Sequence, residues 1–260
     1  MTPAGSTAAR RTAALGRAEL TLLGRNRTAL ATALLLPAGM VGAWSPTLAR
    51  LAPGGARVSA GELAVSSGIG FVLLFVVYYN LVTAYVARRE ERVLKRLRTG
   101  EPTDIEILAG TALPAVALAL AQCAAMVAAG VALLHLPLPH RPELLLAGVA
   151  LGVVLLVAFA AGSTIFTRSV ELAQLTTMPL LLVSVAGSGL VVPLASMPQP
   201  LGELCRWLPM TAVMELVRAG WTGGAPAAPL EVLRSLSSGL AWTLSAVFAV
   251  QHRFRWEPRR

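Results

Sequence analysis

Six long apolar segments that contain no Asp, Glu, Lys or Arg most constrain what this chain of 260 residues can fold into. A bilayer core about 30 Å thick requires roughly 20 apolar residues per helix, and most of the six are that long or longer. Only 13% of the residues are charged, against about one-quarter in an ordinary soluble domain. We therefore expect an all-α integral membrane protein that forms a single transmembrane domain over residues 1–260. The six predicted spans are Ala29–Leu48, Leu63–Val86, Ile107–Leu134, Leu144–Thr167, Leu172–Leu194 and Ser235–Val250.

The basic residues predict the orientation of these spans. Sixteen of the 22 lie before the first span, between spans two and three, between spans four and five, or after the last span. Cytoplasmic segments carry an excess of Lys and Arg, so both termini are predicted to be cytoplasmic in a multi-pass protein of the plasma (inner) membrane. This placement next to apolar runs indicates topology signals and contact with anionic membrane lipid rather than nucleic-acid binding.

The segment before the first span has the pattern of an amphipathic helix. In residues 8–27, Leu15, Ala18 and Leu22 recur at spacings of three and four, with arginines around them. This spacing predicts an interfacial helix on the inner membrane surface. A cleaved signal peptide is the alternative, and the long polar leading region with Glu19 argues against it.

The six segments lack the groups that several kinds of chemistry need. Ionisable residues at membrane depth mark intramembrane enzymes and proton relays, and the predicted spans contain no Asp, Glu, Lys or Arg. His135 and His140 lie in a Pro-rich connection without further metal ligands nearby. The only lysine, Lys95, does not follow a glycine, so no G-x-x-x-x-G-K-[ST] phosphate loop is present. We expect no catalytic, metal or cofactor site in this chain, and any ATP hydrolysis must come from another chain.

Most of the charge is concentrated in the loop after the second span, residues 87–106. The sequence RREERVLKRLR continues a helical pattern, and Thr103 with Glu106 forms a possible capping box for a second helix. Five acidic residues are mixed with the bases, although a topology signal needs only bases. Mixed charge beside an apolar stripe indicates a docking surface for a partner protein, with a solvated connector as the alternative.

Two motifs resemble those of a known family. Arg89-Glu90, Leu94 to Leu97 and the turn Thr99 to Pro102 are similar to the cytosolic loop of the membrane subunits of type-2 ATP-binding-cassette exporters. Residues 188–218 resemble the segment that follows the fifth span in that family. Its matching residues are Ser188, Gly189, Pro193, Met197, Pro198, Leu208, Pro209, Met210, Thr211, Glu215 and Arg218.

The resemblance implies the permease subunit of an exporter of drug or natural-product type, with a role in efflux and antibiotic resistance. It implies ABC ATPase subunits as partners, with ATP and Mg on those subunits, and a dimer with a second permease copy or a paralogue. The implied ATPase-docking residues are Arg88, Arg89, Glu90, Glu91, Leu94, Lys95, Arg98, Thr99, Glu101 and Pro102.

The same resemblance implies an outward-facing connection at residues 195–234, with short re-entrant helices between spans five and six. The implied outward-side gate consists of Ser188, Gly189, Pro193, Pro198, Pro209, Thr211, Glu215 and Arg218. Uncharged spans suit an amphipathic or lipophilic cargo. A non-transporting assembly or immunity protein that recruits a cytosolic partner is the alternative function, and an ion-coupled carrier is disfavoured by the missing charges at depth.

Overall fold

The computed structural model of this protein describes residues 59–90, 104–221 and 229–253, and its regular structure in those ranges is helical. One continuous helical rod contains α1 (Ala60–Val72), a π-helical segment (Leu73–Tyr79) and α2 (Asn80–Glu90). The remaining elements are α3 (Asp104–Leu133), α4 (Pro142–Ser163), α5 (Val170–Gly187), a 3₁₀ turn (Leu194–Ser196), α6 (Gln199–Cys205), α7 (Pro209–Trp221) and α8 (Pro229–Arg253).

Five helices in the described ranges are long and apolar enough to cross a membrane, and they correspond to predicted spans two to six. Their bounds are Gly61–Glu90, Ile107–Leu133, Pro142–Ser163, Val170–Gly187 and Pro229–His252. This agreement supports the all-α membrane class. The predicted interfacial helix (residues 8–27), the first predicted span (Ala29–Leu48) and residues 91–103 of the charged loop lie outside the described residues.

The fifth span ends earlier than predicted. It was predicted to run to Leu194, but α5 ends at Gly187. Ser188 donates a side-chain hydrogen bond to the Ser184 carbonyl, and Gly189 has a φ of 77°. A glycine in this left-handed conformation commonly ends a helix. Residues 190–194 are apolar, so hydropathy alone did not indicate that the helix ends at Gly187.

The rod formed by α1, the π segment and α2 is the best-buried spanning element. It packs against α3, α4 and α7, while α4 also packs against α7 and α8. In contrast, α5 and α8 expose large apolar side chains such as Leu182, Leu244 and Phe248. Exposed apolar faces of this kind suit contact with lipid or with another membrane chain.

Glycines allow α4 and α7 to approach closely. A Cβ on Gly148 would lie 2.9 Å from the Val217 backbone nitrogen, and one on Gly152 would lie 2.9 Å from the Val213 side chain. On α7, a Cβ on Gly220 would lie 2.6 Å from the Leu145 backbone nitrogen. These contacts show that α7 runs antiparallel to the first half of α4 and that the three glycines lie where the two helices pack together.

Candidate functional site

The last two turns of α2 place an arginine inside the protein. The buried face of α2 consists of Leu81, Val82, Tyr85 and Val86. Arg89 lies on the same face, because it follows Val86 by three residues and Tyr85 by four. The Arg89 side chain is only 1% exposed. The same apolar spacing is visible in the sequence and indicates this burial, although the charge of Arg89 is typical of the loop that follows.

The Arg89 guanidinium binds two backbone carbonyls where α4 ends. Its Nη1 donates to the Thr164 carbonyl at 2.8 Å, and its Nη2 donates to the Thr167 carbonyl. The last carbonyls of a helix have no partner within the helix, and a cation there also interacts favourably with the helix dipole. Arg89 therefore connects the end of α2 to residues 164–169, which we call the α4–α5 connection.

Two further contacts extend this link to α5. The Glu90 carboxylate accepts a hydrogen bond from the Val170 N–H at 3.2 Å, at the first residue of α5. The Thr167 hydroxyl lies 2.8 Å from the Thr176 hydroxyl, which is on the second turn of α5. The ends of α2, α4 and α5 thus meet through polar contacts at one end of the helix bundle.

Three of the predicted ATPase-docking residues are described. Glu90 is exposed and Arg88 is half-buried at the end of α2, so both lie where the chain enters the charged loop. Arg89 faces the interior, which does not fit a direct docking contact. The others are outside the described residues: Glu91, Leu94, Lys95, Arg98, Thr99, Glu101 and Pro102.

At the opposite end of the bundle, α7 binds the segment that follows α5. The Arg218 side chain donates to the Gly189 carbonyl. A Cβ at Gly189 would lie 2.6 Å from Nη1 of Arg218, so the glycine permits both the left-handed backbone and the close approach of the guanidinium. A guanidinium does not deprotonate in proteins, so this half-buried side chain stays cationic.

Glu215, one turn before Arg218, connects α7 to α8. Its two carboxylate oxygens accept hydrogen bonds from the Arg234 guanidinium at 3.1 and 3.2 Å, and the Ser235 hydroxyl donates to it at 2.6 Å. The Thr211 hydroxyl donates to the Cys205 carbonyl at 2.6 Å, which fixes α7 to the end of α6. Helix α7 is therefore tied to its neighbours along its whole length.

The predicted gate residues lie in several elements. Arg218 contacts Gly189, and Ser188 is the residue directly before Gly189 in the chain. Pro193 and Pro198 instead precede the 3₁₀ turn and α6, and Pro209 is the first residue of α7. The structure distributes these residues among helix starts, a helix end and the contacts of α7, and their role as a gate stays a prediction.

The π-helical segment of the second span was not predicted. The Asn80 N–H donates to the Phe75 carbonyl five residues earlier, which is the bonding of a π turn. At its end, the Tyr78 hydroxyl lies 2.9 Å from the Ser163 hydroxyl at the last residue of α4. Short π segments inside α-helices are frequent at functional sites, and no residue pattern in the sequence signals this one.

An apolar crevice of about 340 Å³ lies between α2, α3, α4 and α8, on the half of the bundle where α2 ends. Its lining is almost entirely aliphatic, with Tyr85 and Gln251 as the polar exceptions. The lining residues are Tyr85, Leu108, Ala109, Ala112, Leu113, Val116, Val153, Val154, Val157, Ala158, Ala161, Val247, Val250 and Gln251. A second cavity of about 180 Å³ at the opposite end contains Glu215 and Arg234.

These features define a multi-pass α-helical membrane protein with polar links at both ends of its bundle. The model of the family described as ABC-2 family transporter protein matches residues 49–249. The chain therefore belongs to the ABC-2 transporter family and is a permease subunit, as the sequence motifs predicted. Membership implies an ABC ATPase as its partner. No curated protein matches the chain.

Proposed function

We propose that this permease subunit moves an amphipathic or lipophilic substrate, such as a drug or natural product, out across the plasma membrane. The energy comes from ATPase subunits docked on the loop after the second span. The observation that carries this proposal is the family match over residues 49–249, which includes both the loop and the segment after α5. Efflux and antibiotic resistance are the corresponding physiological roles.

The end of α2 supports docking on the loop. Arg88 and Glu90 lie at the end of α2, directly before residues 91–103, so these two proposed docking charges belong to the helical rod that forms the second span. Docking at this loop requires it to be cytoplasmic, as the distribution of basic residues predicts for the loop and for both termini. The docking charges would then select and orient the ATPase subunit.

The geometry of α7 supports the predicted re-entrant segment. Its 13 residues extend about 20 Å at 1.5 Å per residue, which is shorter than the bilayer core of about 30 Å. Because it packs antiparallel to the first half of α4, its first turn points toward the middle of the bundle. Together with Arg218 and Gly189, it would close the outer end of the transport pathway.

The apolar crevice supports an amphipathic or lipophilic cargo. Its aliphatic lining offers burial to an apolar chain or ring system, worth about 25 cal/mol for each Å² removed from water. The exposed apolar faces of α5 and α8 suit a dimer with a second copy or a paralogue, in addition to lipid contact. A transport pathway between two such subunits is the arrangement we propose.

A charge reversal in the loop tests the docking. In Glu101→Arg, we expect the amount of ATPase subunit that co-purifies with this chain in nanodiscs to fall about tenfold, because a like-charge contact replaces an attractive one and about 1.4 kcal/mol of lost affinity corresponds to that factor. The partner to use is the ABC ATPase subunit that the family implies. Glu101→Arg leaves Glu90, which contacts α5, unchanged.

The matched control is Glu171→Arg, the same change at an exposed position outside the loop. It should leave co-purification at the wild-type level, and both variants should insert equally well into the membrane. Equal loss in both variants would show a non-specific charge effect. If the wild-type chain retains no ATPase subunit, the proposed function is wrong.

A further inference from the structure

We propose that Arg89 is a positioning residue that transmits movement of the ATPase-docking loop to the α4–α5 connection. The role rests on the proposed function, because it presupposes an ATPase subunit that moves the loop. It differs from docking itself, because Arg89 is buried and acts through the carbonyls of Thr164 and Thr167.

The first step is the position of Arg89 in the rod. It lies one residue before the end of α2, and α2 is continuous with the π segment and α1. A force on the loop therefore reaches Arg89 before it reaches the rest of the second span. Arg89 is also 1% exposed, so its charge cannot reach water without a change in the surrounding helices.

The second step is the rigidity of the contact. Arginine presents a planar fork of donors, and bonds from a charged donor are roughly twice as strong as neutral ones. Both acceptors are backbone carbonyls, so they move only with the main chain of the α4–α5 connection. Leaving a buried charge without its partners is strongly unfavourable, which makes joint movement of α2 and the connection cheaper than separation.

The third step is that two neighbouring residues of α2, Arg89 and Glu90, contact two successive helices, α4 and α5. Arg89 binds the end of α4, and Glu90 accepts from the first residue of α5. Thr167, whose carbonyl binds Arg89, also contacts Thr176 on α5 through its hydroxyl. Rotation or sliding of the α2 end would therefore displace α4 and α5 together, so two spans respond to one loop.

The experiment measures amide hydrogen exchange of residues 164–170 in the purified complex of this chain with its ATPase subunit, with and without a non-hydrolysable ATP analogue. In the wild type, we expect the nucleotide to change exchange in this connection. In Arg89→Gln, we expect the ATPase subunit to remain bound and the nucleotide-dependent difference to be lost. A purely structural role would alter exchange equally in both nucleotide states and would leave the difference in place.

Arg168→Gln is the matched control, because Arg168 is an exposed arginine of the same connection. It should keep the full nucleotide-dependent difference. Arg89→Lys retains the positive charge without the planar fork and should show a reduced difference. If Arg89→Gln fails to give a monodisperse complex, Arg89→Lys decides the question.

The outcomes separate the two proposals. The role of Arg89 is overturned, and the proposed function left intact, if Arg89→Gln keeps the full nucleotide-dependent difference in exchange. The same holds for Arg89→Lys where that variant decides. A bound ATPase subunit without any nucleotide effect on residues 164–170 in the wild type also overturns the role of Arg89 alone. If no ATPase subunit binds the wild-type chain, the proposed function fails and this role fails with it.

Discussion

Gly220→Ala is expected to lower the thermal stability of the protein in detergent, because the new methyl group has no space between α7 and α4. The Cβ would lie 2.6 Å from the Leu145 nitrogen and 2.9 Å from the Leu145 Cα. Backbone atoms cannot move aside as a flexible side chain can, so the two helices must separate. Overpacking of this kind costs about 1–3 kcal/mol. The unfolding midpoint of the purified variant checks this result.

Gly162→Ala is the matched control, since it makes the same change on α4 where a Cβ would meet nothing closer than 3.9 Å, the Val250 side chain. Alanine has the better helix propensity, so this variant should be as stable as the wild type or slightly more stable. Equal midpoints for Gly220→Ala and the wild type would contradict the tight α4–α7 contact.

Gly189→Ala is expected to destabilise the segment that links α5 to α7. Its φ of 77° is unfavourable for alanine, and the new Cβ would collide with the Arg218 guanidinium. Backbone strain of this kind costs about 1–3 kcal/mol. Displacing Arg218 would add to this cost, because its half-buried cation would lose the Gly189 carbonyl. Thermal unfolding, with limited proteolysis after α5, measures the effect.

Gly202→Ala makes the same substitution in α6 of the same connection. Its nearest contact for a Cβ is the Leu194 carbonyl oxygen at 3.4 Å, which is ordinary van der Waals contact. We expect little change in the unfolding midpoint. If Gly189→Ala and Gly202→Ala were equally mild, the Gly189–Arg218 contact would not limit stability.

The spans were predictable because the bilayer imposes a simple rule of length and charge. Five of the six predicted segments correspond to long apolar helices in the described ranges. Helix ends were less predictable. The residues after Gly187 are apolar, and only the combination of Ser188 and a left-handed Gly189 ends α5 there. Hydropathy contains no information on that backbone conformation.

The candidate sites were predictable as segments and not as contacts. The family motifs pointed to the segment that contains Gly189, Glu215 and Arg218. They did not predict that Arg218 binds the Gly189 carbonyl or that Glu215 binds α8. Which distant residue each side chain contacts depends on how the helices pack, and the motifs contain no information on that packing. The burial of Arg89 is an exception. The spacing of the apolar residues of α2 indicates that position 89 is buried, although a charged residue is not expected there.

The π segment at Leu73–Tyr79 determines the direction in which Arg89 points. Each residue of an α-helix advances about 100° around the axis, so one additional residue in a turn shifts the phase of everything after it. With a regular α-helix through Leu73–Tyr79, the side chain directed at the Thr164 carbonyl would be a sequence neighbour of Arg89. The angular register of the α2 end is therefore set about three turns away from it, in the middle of the second span.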